Sequence, residues 1–139
     1  MQSMHKIKYS FTYEVTFCIG SREGYNGRAF TREEVLDQIN LFQKGFTGSM
    51  PVKVSDTVTF TMKDYRENGW EVSAITYPNS SASIDEVKNF MRNLAEHLLY
   101  HFKQNRITIR ETFNGPTLVG SEPNTIMLEM NDAEKTHHK

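Results

Sequence analysis

Ile7-Lys8-Tyr9-Ser10-Phe11-Thr12-Tyr13-Glu14-Val15-Thr16-Phe17-Cys18-Ile19 alternates apolar and polar residues from end to end. Ile7, Tyr9, Phe11, Tyr13, Val15, Phe17 and Ile19 take every second position, the period of a strand with one buried face. This reading predicts a first strand over roughly Lys6 to Ile19, with Lys8, Ser10, Thr12, Glu14, Thr16 and Cys18 on the opposite face.

Next comes a loop from Gly20 to Ala29 with glycines at 20, 24 and 27, and then Thr31-Arg32-Glu33-Glu34. This is a capping box: the Thr31 hydroxyl can accept from the Glu34 amide while the Glu34 carboxylate returns to the cap. Val35, Ile39, Phe42 and Phe46 follow at helical spacing, and Gly45 and Gly48 supply a stop. A second strand is expected near Asp56 to Lys63, with Val58, Phe60 and Met62 inward and Thr57, Thr59 and Thr61 outward. Asn68-Gly69 tolerates positive φ and predicts a two-residue hairpin. On the return strand Trp70, Val72 and Ala74 share one phase and Ile75 and Tyr77 the other, which predicts a bulge there or burial on both sides.

Pro78 to Ala82 is turn material, and Ser83 to Glu86 repeats the capping box. Val87, Met91, Leu94, Leu98 and Phe102 form the inner stripe of a second helix. Ile107 and Ile109 open another strand with Arg106, Thr108 and Arg110 pointing away. Beyond Asn114-Gly115-Pro116, the alternation of Ile126, Leu128 and Met130 predicts an extra C-terminal strand. Residues 1–130 read as one domain, and 131–139 as a flexible polar tail.

The order β-α-β-β-α-β resembles the ferredoxin-like superfold over roughly Lys6 to Phe113. The resemblance implies an α+β two-layer sandwich, its antiparallel sheet ordered fourth, first, third, second, with both helices on one face. The superfold hosts sensors, monooxygenases and isomerases of the dimeric barrel type, nucleases and inhibitors, so it implies no single activity. No family-specific catalytic motif accompanies it.

Sixteen Lys and Arg against 17 Asp and Glu over 139 residues leave a net charge of −1, so charge supplies no argument for nucleic acid. A lone Cys18 excludes an internal disulfide and fits a reducing compartment. No apolar run approaches the ~20 residues of a membrane span, and Met1 to Lys6 lacks a signal-peptide apolar stretch. A cytoplasmic protein is expected.

The topology gathers Arg22, Tyr25, Arg28, Tyr65, Arg66, Trp70, Lys103, Gln104, Asn105 and Arg106 at one end, beside the first helix's N-terminus, which favours an anion. From this cluster Arg22, Tyr25, Arg28, Tyr65, Arg66 and Arg106 are the candidate ligand or partner residues. Solvated loop charge is the plainer account of the same residues. Trp70 belongs either to the core or to the site, and a hairpin Trp is more often core.

The glycines match no phosphate-binding spacing. His97 and His101 share one helical turn but lack a third ligand, so no metal is expected. Cys18 reads as a small filler. Asp64, Glu67 and Glu71 read as ordinary hairpin carboxylates. The hydroxyl-rich outer sheet face lacks the aromatics of an RNA-reading sheet, and packing of that face on a second copy is expected to make a homodimer.

These features lead to a non-enzymatic binding or regulatory protein without cofactor. It would contact an anionic ligand or a partner protein through the basic end, and a phage- or mobile-element-type inhibitor fits that description. The alternative is a small cofactor-independent enzyme of the dimeric barrel type, with Tyr65, His97 or Glu14 handling protons, or else a structural subunit.

Overall fold

The computed structural model describes residues 12–24, 27–45, 50–76, 82–114 and 125–130. The elements are β1 (Thr12–Gly20), α1 (Arg32–Lys44), β2 (Lys53–Met62), β3 (Tyr65–Ile75), α2 (Ile84–His101), β4 (Arg106–Asn114) and β5 (Thr125–Glu129). The sheet runs β2-β3-β1-β4-β5 and is antiparallel at every pairing. This is the α+β sandwich expected, with β5 added outside β4. Expectations resting on residues 1–11, Tyr25, Phe46, Gly48, Tyr77, residues 78–81 and the tail lie outside the described residues.

Alternation and capping act as the sequence dictates. Tyr13, Val15, Phe17 and Ile19 are buried against the helices, together with Val35 and Ile39 of α1 and Val87, Met91, Leu94 and Leu98 of α2. Each such side chain contributes about 1.5–3 kcal/mol on burial. Both capping boxes form: Thr31 with Glu34, and Ser83 with Glu86. Trp70 packs against this core, its ring 5.8 Å from that of Phe30.

The hairpin turn differs from expectation. Met62 pairs with Tyr65, so Lys63 and Asp64 make the turn, with Lys63 at φ 47. Asn68-Gly69 lies inside β3 instead, where Gly69 faces Val58 on one side and Gly20 on the other. A methyl group on Gly69 would collide with the Ile19 carbonyl and come 2.7 Å from the Phe60 ring. Close approach of neighbouring groups, not turn geometry, requires glycine there.

The outer face of β2 is a second correction. The bulge lies on β2: Ser55 pairs with Glu71 and Val58 with Gly69, so two β2 residues oppose Trp70 alone. The extra residue reverses the strand's phase. Val54 packs against the core, whereas Phe60 and Met62 turn onto the face away from the helices, opposite Glu67 and Tyr65. The expected hydroxyl row of Thr59 and Thr61 is not on that face.

Candidate functional site

A groove of about 680 Å³ lies on the open sheet face, with Cys18, Gly20, Phe60, Glu67, Gln104 and Arg110 among the residues around it. The pairing explains its shape. Gly20 faces Gly69 across β1 and β3, which leaves a depression in the sheet, and two large side chains cover it. Phe60 lies over Gly69, and the Glu67 carboxylate lies over Gly20.

Glu67 is only 8% exposed. Its Oε2 accepts from the Arg22 amide at 2.9 Å, and its Oε1 accepts from the Tyr65 hydroxyl. A carboxylate has about four acceptor positions, so lone pairs remain for a ligand. The expectation of an ordinary hairpin carboxylate fails here because the turn lies at Lys63-Asp64, which moves Glu67 into the strand. Continued alternation through Tyr65, Glu67, Gly69, Glu71 and Ser73 is the sequence signal that places it on the open face.

Gln104, 7% exposed, fixes the loop beside Glu67. Its Oε1 accepts from the Gly20 amide at 3.0 Å, and its Nε2 donates to the Arg22 carbonyl at 3.0 Å. The end of α2 aims it there. Lys103 takes φ 50, and the amides of Lys103 and Gln104 return to the carbonyls of Tyr100 and Leu99, a Schellman cap.

The predicted basic residues fare differently. The Arg22 main chain is central to the site, while among the described residues its exposed guanidinium reaches the Gly27 carbonyl, at 3.5 Å. Arg28 is paired with Glu23 and Glu34, Lys103 with Glu23, and Arg106 with Glu129. Arg66 is exposed on β3 opposite Thr61. At the first helix N-terminus, the Thr31 hydroxyl and the Glu34 carboxylate answer backbone amides, and the Glu34 carboxyl is held below its ordinary pKa by the Thr31 amide and then by Arg28. Tyr65 and Arg106 are the predicted residues that line the groove, and the Tyr65 hydroxyl bonds Glu67.

Burial, then the Glu71 charge, pushes the Cys18 thiol above its ordinary pKa against an opposing effect of Arg110. That keeps it protonated and unsuited to nucleophilic attack. Arg110 makes no ion pair with the described residues and stands beside Thr16 on the same face. On the opposite layer the His97 and His101 rings stack at 5.8 Å, and His97 Nε2 lies 2.9 Å from Gln38 Oε1. Among the described residues no group of three or more His, Cys, Asp or Glu is placed to hold a metal ion. No helix among them is long and apolar enough to cross a membrane.

No protein-family model and no curated protein matches the chain. Solved structures do. A phage SAM lyase in its apo state aligns with TM-score 0.62 at 13% identity, covering 92% of this chain and 97% of the other. A phage SAM lyase in complex with S-methyl-5′-thioadenosine aligns with TM-score 0.60 at 14% identity, covering 93% and 97%. The likeness is one of fold. It overturns the expectation of a non-enzymatic regulatory protein that contacts an anion through a basic end. The solved chains sharing this architecture are enzymes, and the group buried at that end is a carboxylate, while Arg28 and Arg106 of the same end are already paired with acids.

Proposed function

We propose that this chain is a small enzyme that cleaves a C–S bond of an S-adenosyl sulfonium compound in the groove on the open sheet face. The observation that carries this reading is Glu67, a buried carboxylate held by Tyr65 and the Arg22 amide at the floor of a groove. A carboxylate in a poorly solvated site attracts a sulfonium cation more strongly than it would in water. The names of the fold neighbours, a lyase acting on SAM and its complex with a thioadenosine, support the same chemistry.

Cleavage moves the C–S electron pair onto sulfur and yields a neutral thioether. A lyase satisfies the carbon from within the substrate, by loss of a proton or by closure onto the substrate's own carboxylate. In this assignment Glu67 holds the sulfonium, Tyr65 and Gln104 fix Glu67 and its loop, and Arg110 offers a cation to the substrate carboxylate.

The test is incubation of the purified chain with S-adenosylmethionine and detection of S-methyl-5′-thioadenosine by chromatography and mass spectrometry. Release that is lost in Glu67→Gln supports the reading, with Tyr65→Phe reduced and both variants folded. A wild-type chain that releases no thioadenosine sinks it.

A separate observation supports self-association in a cytoplasmic protein. Met62 and Met127, 62% and 58% exposed, stand on β2 and β5 at the two edges of the open face. Light scattering that returns a monomer at high concentration would remove this second reading.

A further inference from the structure

We propose that Phe60 is the nucleobase platform of the groove and sets its preference for a nucleoside over a simple sulfonium. This rests on the function proposed above and assigns the part of the substrate remote from the sulfur. Among the described residues, the aromatic side chains that the pairing places on the open face are Phe60 and Tyr65. The Tyr65 hydroxyl is committed to Glu67. Phe60 remains, 39% exposed, so part of its ring is open to solvent on this face.

Three structural features converge on its placement. The β2 bulge between Ser55 and Val58 turns Phe60 out of the core phase. Gly69 leaves the space the ring occupies, since a methyl there would come 2.7 Å from Phe60 Cε2. Glu67 is the cross-strand partner of Phe60, which sets the two side chains side by side on one face. A nucleoside whose 5′ sulfur sits at Glu67 can therefore lay its base on the neighbouring ring. Base–aromatic stacking of ~1–3 kcal/mol corresponds to about a fivefold to hundredfold effect on affinity.

Binding of S-methyl-5′-thioadenosine to the full chain, with 5-methylthioribose as the competitor lacking a base, tests the assignment by calorimetry. Phe60→Leu keeps an apolar side chain but no aromatic face, and Phe60→Trp keeps the face. The expected result is a roughly tenfold or greater loss of thioadenosine affinity in Phe60→Leu, retention in Phe60→Trp, and unchanged competition by methylthioribose. Equal thioadenosine affinity in Phe60→Leu overturns the proposal. So does an equal loss for both ligands, or a loss that accompanies a changed mass by light scattering. A wild-type chain that binds thioadenosine but cleaves no sulfonium would end the lyase reading and leave the platform standing. A wild-type chain that binds no thioadenosine ends both.

Discussion

The carboxylate of Glu67 lies directly over Gly20, so a methyl group on Gly20 would come 2.7 Å from Glu67 Cδ. The absence of a side chain on β1 thus determines where the charged group of β3 rests. Gly69, the partner of Gly20 across the sheet, has the opposite problem, because its methyl would meet the Ile19 main chain.

The two glycines should therefore fail differently when changed to alanine. In Gly20→Ala the obstacle is the far end of a flexible side chain, so stability should fall by less than about 1.5 kcal/mol, while thioadenosine affinity drops tenfold or more. Gly69→Ala pushes on fixed backbone and should cost about 2–3 kcal/mol. Urea denaturation beside ligand titration separates the two. Equal stability losses would contradict the difference in what each methyl meets.

Lys63 occupies the left-handed region at the true hairpin turn. Lys63→Gly should stabilise the protein by up to about 1 kcal/mol by relieving that conformation, whereas Asn68→Ala, inside β3, should leave the hairpin intact. A thermal denaturation series reads both, and collapse of the hairpin in Asn68→Ala would return the turn to Asn68-Gly69.

Gln104 serves three main-chain groups at once, the Gly20 amide and the Arg22 and Phe102 carbonyls. Gln104→Ala leaves them without partners and should cost about 1–3 kcal/mol. Gln104→Glu restores the acceptor for the Gly20 amide but not the donor for Arg22, so chemical denaturation should show only partial recovery. Wild-type stability in either variant would count against the bridge.

Burial, then the neighbouring His101, lowers the pKa of His97. The unfolded chain therefore takes up this proton at higher pH than the folded one. The stability present above about pH 6.5 is lost as pH falls through the folded-state value. Melting temperature should decline from pH 7 to pH 5, and the decline should be shallower in His97→Gln. Identical profiles would show that His97 does not contribute.

Part of this architecture is local and was legible in the residues alone. The alternation from Tyr13 to Ile19 places four apolar side chains on one face whatever the strand pairs with. Thr31 with Glu34 and Ser83 with Glu86 open helices through bonds that span three residues. Val87 to Leu98 marks the buried stripe of α2 by spacing, and Ile126 and Leu128 announced β5. The strand order then followed from the element order.

Partner strands decided the rest. Asn68-Gly69 is locally the better hairpin turn, yet register moves the turn to Lys63-Asp64 because Gly69 is needed opposite Gly20. The extra residue on β2 is defined only against Trp70, and through it Phe60 and Met62 exchange faces with the threonines. Glu67 becomes a buried site carboxylate because Gly20, Tyr65 and the Arg22 amide converge on it from separate segments. Sequence by itself determined which segments form strands and helices and which way β1 faces, since those depend on neighbours a few residues apart. Tertiary structure decided the turn, the bulge and the buried carboxylate, because pairing between distant strands sets which residues share a face and which polar groups lose water together.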